Sequence, residues 1–212
     1  MRIIGGQLRR KKLFSPSEKS PTRPIPDLVK EALFNLLRGH VEGQEVYDGF
    51  AGSGSIGLEA LSRGASRCVF IERDRDVLAV LNRNIEHLGV EDRAESVRAD
   101  ALGPGALSRC PKPAHLIFFD PPYALVNDPR TWPRVAKQFS RLIQNLDPEG
   151  YAMLRTPWPF EHVESTEERD GGVYSKFADV DLTIEGAIGP ETHDYGTTAF
   201  HLFMKDPDSS HV

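Results

Sequence analysis

Residues 46–63 read V-Y-D-G-F-A-G-S-G-S-I-G-L-E-A-L-S-R, and this stretch decides how the rest of the chain is read. It joins the end of a strand, a glycine turn and a helix expected over residues 55–63. Gly52, Gly54 and Gly57 remove Cβ atoms that would hold a ligand away from the turn. The first N–H groups of the helix are expected to point into the space this opens, which suits a small anionic or polar ligand. The letters fit G-x-G-x-x-G, and Glu72 follows Gly52 by twenty residues at the end of the next apparent strand. A nicotinamide dinucleotide would satisfy the same fingerprint, so the loop alone leaves the cofactor open.

Outward from this loop the chain keeps the βα rhythm of a parallel sheet. A strand over 45–47 enters the loop, and residues 67–72 form the second strand. Asp74 caps a helix whose Val77, Leu81, Ile85 and Leu88 make one apolar stripe that Gly89 ends. Residues 95–100 are expected to be the third strand and 114–119 the fourth. The run A-H-L-I-F-F suits a strand buried on both faces. A helix around 132–146 and a strand at 151–156 follow. Alternation over 173–185 and a last strand over 199–205 point to an antiparallel C-terminal pair. Upstream, Val29, Leu33, Leu36 and Leu37 predict a helix from Asp27 to a stop at Gly39. The expected fold is α/β: a Rossmann-like, mostly parallel sheet with an antiparallel C-terminal edge and a small basic N-terminal extension.

That extension, residues 1–26, reads as a short β-ribbon with a turn at Gly5-Gly6, then a connector that Pro16, Pro21, Pro24 and Pro26 keep out of a helix. The domain proper spans 27–205, and the polar segment 206–212 is expected to be disordered. The net charge of −5 conceals an asymmetry: residues 1–30 hold eight Lys or Arg against two acids. Such a split points to a polyanion-binding arm, with Arg9, Arg10, Lys11, Lys12 and Arg23 as its candidate contacts. Arm and cofactor loop are expected to be separable. With 39% hydrophobic residues the chain can bury a full core, and its apolar runs fall far short of the roughly 18 residues that a bilayer requires. A cytoplasmic protein is expected. Cys68 and Cys110 lack metal-ligand spacing, so neither a disulfide nor a metal site is expected.

The fourth strand runs directly into Asp120-Pro121-Pro122-Tyr123. Two prolines remove two donors and fix φ twice, giving a stiff turn at the carboxyl end of a strand, beside the glycine loop. Hydride transfer has no evident use for such a turn. Methyl transfer to a planar amino nitrogen does. The Asp120 carboxylate and the Pro121 carbonyl can accept the two amino hydrogens, while Tyr123 stacks on the ring.

D-G-F-A-G-S-G-S-I-G-L-E-A-L-S-R-G-A, I-E-R-D, R-A-D and D-P-P-Y together resemble the class I S-adenosylmethionine-dependent methyltransferases. R-I-I-G-G-Q-L-R-R-K-K-L and the R-P-x-x-D-x-x-x-E-A-L-F-N-x-L pattern over 23–37 narrow this to the bacterial 16S ribosomal RNA guanine-N2 methyltransferases of the RsmD type. The resemblance covers residues 2–123 and fades beyond; Ile25 and Leu28 depart from the family signature. It implies S-adenosylmethionine as cofactor. Asp48 and the loop Phe50, Ala51, Gly52, Ser53 and Gly54 would hold its methionine part, Glu72 its ribose hydroxyls and Asp100 its adenine amino group. Asp120, Pro121, Pro122 and Tyr123 would form the catalytic turn. The implied partner is ribosomal RNA, including RNA in the assembling small subunit, and the chain is expected to act as a monomer away from membranes. DNA or RNA adenine-N6 methylation, protein glutamine methylation and a non-catalytic RNA-binding module are the competing readings.

Overall fold

The computed structural model describes residues 1–16, 25–169 and 172–209. Its main sheet has seven strands in the order β3-β2-β1-β4-β5-β9-β8. The parallel part comprises β1 (Glu45–Asp48), β2 (Arg67–Glu72), β3 (Ala94–Arg98), β4 (Ala114–Phe119) and β5 (Leu146–Pro157). The antiparallel edge is β9 (Thr198–Lys205) on β5, with β8 (Ala187–Asp194) outside it. The expected mostly parallel sheet with an antiparallel edge is present, but the last strand pairs with 187–194 and not with the alternating stretch 173–185.

Side chains alternate across a strand, so each central strand feeds two cores. Leu116 and Phe118 of β4 enter one apolar cluster with Leu33, Phe34, Leu58, Leu61, Phe70 and Leu81, whereas Ile117 and Phe119 enter the other. This double burial is why the β4 sequence is apolar at nearly every position. Helices α1 (Asp27–Leu36), α2 (Gly57–Ser62) and α3 (Arg75–Leu88) supply the first cluster, and α6 (Trp132–Ile143) supplies the second. The Asp74 side chain accepts from Asp76 and Val77 at the α3 N-terminus, and Gly89 closes the helix at φ 66. Short helices α4 (Pro104–Leu107) and α5 (Tyr123–Val126) sit in the loops.

Several expectations need correction. Regular helix begins at Gly57, not near Ser55, because residues 52–56 are spent on turns. The buried face of α1 carries Lys30 and Phe34, and Leu36 is on the exposed side. The region beyond β5 holds two further strands, β6 (Glu161–Arg169) and β7 (Gly172–Asp179), which form a separate antiparallel ribbon. Residues 207–209 form a 3-10 turn, with Asp206 bonded to Gly186; the rest of the expected disordered tail lies outside the described residues.

The basic N-terminus forms a hairpin closed by an antiparallel bridge between Arg2 and Lys12. It is not an appendage. Ile3, Leu13 and Ile25 belong to the same core cluster as the cofactor-loop helix. The backbone N–H groups of Ile4 and Gly5 donate to the Glu59 carboxylate at 2.8 and 2.7 Å, and Ser62 Oγ donates to the Gly5 carbonyl at 2.6 Å. Glu59 also faces Lys30 Nζ at 3.4 Å, both side chains fully buried. Lys30 in turn donates to the Arg2 carbonyl and to Ser55 Oγ. A buried acid and base are tolerable only when they compensate one another and their remaining donors and acceptors are bonded. Here the hairpin backbone supplies part of that bonding, so arm and glycine loop are joined physically.

Candidate functional site

The order β3-β2-β1-β4 sets four parallel strand ends in a row, and Asp100, Glu72, Asp48 and Asp120 stand at or just beyond them. The chain winds away on both sides of β1, making the crevice in which open α/β sheets bind ligands.

Asp48 is the most constrained of the four. It is 1% exposed, and its Oδ2 accepts from Gly57 N–H at 3.0 Å. Its Oδ1 is buried with no partner among the described residues. Burial pushes this carboxyl up to about 7, against the Gly57 hydrogen bond, and the Asp120 and Glu72 charges push the same way. An orphaned buried acceptor at the mouth of a glycine loop is a polar group awaiting a donor. The helix amide that the sequence reading aimed at the ligand is instead taken by Asp48.

Glu72 grips the same loop from β2. Its Oε2 accepts from Gly52 N–H at 3.1 Å and its Oε1 from Asp74 N–H at 2.7 Å, leaving each oxygen a second lone pair. Gly52 sits at φ 55, and a Cβ there would meet nothing within 4 Å, so the loop opens outward at this point. At Gly57, by contrast, a Cβ would collide with the Phe70 ring and Cys68 Sγ. One glycine serves the opening and the other the packing of α2 on β2. Ala51 N–H bonds to the Ile71 carbonyl, Gly54 N–H to the Ala51 carbonyl, and the Ser53 carbonyl accepts from Asn84. The Phe50 ring packs edge-on against Phe119, with centroids 4.8 Å apart. Asp100 is exposed, and its Oδ2 accepts from Arg134 at 3.0 Å. Beyond Glu72, Arg73, Arg75 and Arg98 line an open depression with Asp74 and Asp76.

On the other side of β1, the Asp120 side chain is only 14% exposed, and its Oδ1 accepts from Arg155 Nε at 2.7 Å. Burial pushes its carboxyl above the usual range, while the charge and hydrogen bond of Arg155 pull it back. Pro121 is buried and Pro122 exposed, and Tyr123 starts α5. The half-buried Tyr123 donates its O–H to Thr198 Oγ1 at 2.8 Å, which fixes the ring.

Arg9, Arg10, Lys11 and Lys12 lie exposed on the hairpin, whereas Arg23 lies outside the described residues. Sequence reasoning missed Arg155, Asn84 and Thr198. Arg155 did leave a signal: a lone arginine in the apolar run Y-A-M-L-R-T of a central strand. Asn84 bonds the Phe14 backbone and the Ser53 carbonyl at once, a link across 70 residues that no local pattern announces. Among the described residues no group of three or more His, Cys, Asp or Glu could hold a metal, and Cys68 and Cys110 are buried and free.

A family model described as Conserved hypothetical protein 95 matches residues 1–164. The ribosomal RNA small subunit methyltransferase D of Escherichia coli K12 is 42% identical over 123 residues, which is 58% of this chain and 60% of that protein. The protein of the same name from Haemophilus influenzae is 38% identical over 128 residues, 58% of this chain and 64% of that one. The match thus spans less than two thirds of either relative's length. Among solved structures, yhhF of Escherichia coli superposes with a TM-score of 0.72 at 28% identity, covering 97% of this chain and 98% of that one.

Proposed function

The chain belongs to the Conserved hypothetical protein 95 family, and from that premise we propose that it is a methyltransferase that acts on an exocyclic amino nitrogen, guanine N2 of 16S ribosomal RNA. The observation that carries the reading is the pairing of Asp48 and Asp120. A buried acid and a largely buried one end adjacent parallel strands, the first beside a glycine loop and the second opening a Pro-Pro turn.

The residues present fit S-adenosylmethionine. Among the described residues Asp48 Oδ1 has no donor, Gly52 opens the loop outward, and Glu72 keeps lone pairs for two hydroxyls. When bound, this cofactor supplies a sulfonium methyl group that needs no further activation. Asp48 and residues 50–54 would hold its methionine part, Glu72 its ribose and Asp100 its adenine amino group. What remains for the protein is alignment and charge placement.

Asp120 and the Pro121 carbonyl accept the amino hydrogens of the target base. This favours a pyramidal nitrogen whose lone pair faces the methyl group, since in the planar form that lone pair is spread into the ring. Asp120 need not be a strong base, because the amine sheds a proton readily once it is cationic. Tyr123, pinned through its hydroxyl, offers its ring for stacking on a base drawn out of its helix, which favours a looped or single-stranded target. The exposed basic hairpin contacts RNA phosphates, and ribosomal RNA makes the cytoplasm the site of action.

Labelled methyl transfer to 30S subunits and to naked 16S RNA, both from cells lacking the protein, tests this. The expected product is N2-methylguanosine in one of the two substrates. Label in adenine, DNA or protein instead would replace the substrate class, and no transfer would remove the enzymatic reading.

A further inference from the structure

We propose that Arg155 is a positioning residue that makes Asp120 a fixed carboxylate acceptor, and thereby selects guanine over adenine at this site. The proposal rests on the reading that the site methylates an exocyclic amine.

Arg155 lies on β5, which pairs with β4 up to Phe119↔Leu154, so Arg155, still within β5, stands beside Asp120 as the latter leaves β4. Their side chains are 11% and 14% exposed and meet at 2.7 Å through Nε and Oδ1. The same guanidinium lies 5.7 Å from the Tyr123 ring centre. One cation thus touches the acid and the aromatic of the Asp120-Pro-Pro-Tyr turn. Thr198 on β9 holds the Tyr123 hydroxyl from the next strand, so the turn is braced from two neighbouring strands. Arg155 from β5 pairs with Asp120, the Asp48 charge on β1 acts against it, and Tyr123 of α5 lies under the same guanidinium. His201 of β9 sits behind Thr156 and is pushed down to about 4 by burial, so it is neutral near pH 7. Arg155 is the cation that opposes burial of the Asp120 charge.

That charge decides which base edge is accepted. An ionised carboxylate only accepts hydrogen bonds, whereas a protonated carboxyl also donates one. Guanine offers two adjacent donors, N1–H and N2–H. Adenine offers an N6–H donor beside the N1 lone pair. With Oδ1 partly occupied by Arg155, the second Oδ1 lone pair and Oδ2 remain for two donors, and guanine fits. Adenine would set its N1 lone pair against a carboxylate oxygen, an unpaired arrangement that sites built on hydrogen bonds reject strongly. Were Asp120 protonated, its hydroxyl could donate to adenine N1 and the discrimination would weaken.

The test compares wild type with Arg155→Met and Arg155→Lys on 30S subunits and 16S RNA from cells lacking the protein. S-adenosylhomocysteine titration comes first and is expected to agree within about twofold across the three proteins, since Arg155 faces the base side. For Arg155→Met, kcat near pH 7 should fall by at least about tenfold, with a smaller change in KM. The acidic limb of its pH profile should move to higher pH, because the group that holds Asp120 ionised is gone. The fraction of label in adenine should rise as pH falls. Arg155→Lys should restore the limb and most of kcat. An Arg155→Met enzyme with the wild-type limb and base preference overturns the proposal, as does a Lys variant no better than the Met variant. If wild type itself transfers no methyl group, the functional reading fails. The role of Arg155 is then judged by the carboxyl carbon NMR titration of Asp120, where an identical titration in wild type and Arg155→Met refutes it.

Discussion

Asp48 and Asp120 end neighbouring strands of one sheet, and burial pushes both carboxyls up, yet the protein treats them differently. Asp120 has a cation at 2.7 Å, while Asp48 has one backbone amide and an oxygen with no partner among the described residues. The two halves of the crevice are also braced from opposite ends of the chain. On the Asp48 side the N-terminal hairpin, Lys30, Glu59 and Asn84 hold the glycine loop. On the Asp120 side β5 and β9 hold the Asp120-Pro-Pro-Tyr turn. Asp120 is oriented by its cation before a ligand arrives and keeps acceptor capacity for it, whereas the orphaned Asp48 oxygen is left for a donor that the ligand would bring. Hence Asp48 is proposed to serve the cofactor and Asp120 the base.

The largest expected effect breaks the brace on the cofactor side. Glu59→Ala leaves Lys30 buried without its counter-charge and strips the acceptor from Ile4 and Gly5, which should cost about 3 to 5 kcal/mol of stability. Urea unfolding measures it; a loss below about 1 kcal/mol would mean that the hairpin is a passenger. Separability of arm and loop, expected from the charge split alone, is not expected of this arrangement.

Asp120→Ala comes next. Turnover should fall at least about 100-fold, as when a transition-state contact is removed, while S-adenosylhomocysteine affinity stays near that of wild type. Preserved turnover would end the assignment of Asp120 to the base. On the other half, Glu72→Ala should weaken cofactor binding by about 1 to 3 kcal/mol, because two hydroxyls lose a charged acceptor and Gly52 loses its partner. Tight NADH binding in place of S-adenosylmethionine would show that Glu72 serves a dinucleotide. The smallest effect belongs to the hairpin surface. Replacing Arg9, Arg10, Lys11 and Lys12 by Gln should flatten the salt dependence of RNA affinity without changing cofactor affinity, as the four are exposed. An unaltered slope would make them a solvated face.

The comparison also marks where the sequence was readable. Strands β2 and β4 announce themselves because double burial demands apolar runs, whereas β1, E-V-Y-D, is placed by the glycine loop it enters; the glycine and Pro-Pro turns have backbone requirements that few residues meet. Of the acids at the strand ends, Glu72 follows from its spacing to the glycine loop and Asp120 from the Pro-Pro turn, whereas Asp48 and Asp100 come only with the family resemblance. Neither brace was visible. Glu59 reads as one more helix acid until the hairpin, some 55 residues away, closes over it. Arg155 meets Asp120 across 35 residues. Strand β6, E-H-V-E-S-T-E-E-R, has no apolar alternation because its ribbon lies outside the main sheet, and β8 is a largely exposed edge strand. Local pattern encodes burial on a regular element, and these features depend on tertiary partners.

The most direct test of the division of labour is calorimetric titration of S-adenosylhomocysteine against pH for wild type, Asp48→Asn and Asp120→Asn. Burial pushes the Asp48 carboxyl up to about 7, so a carboxylate assigned to the cationic amino group of the ligand would have to ionise to bind it. Wild-type affinity should therefore rise with pH by up to about tenfold per unit below that value and level off above it. Asp48→Asn should bind more weakly above pH 7 and lose this slope, whereas Asp120→Asn should keep affinity and slope. A slope that survives in Asp48→Asn and vanishes in Asp120→Asn would contradict the account.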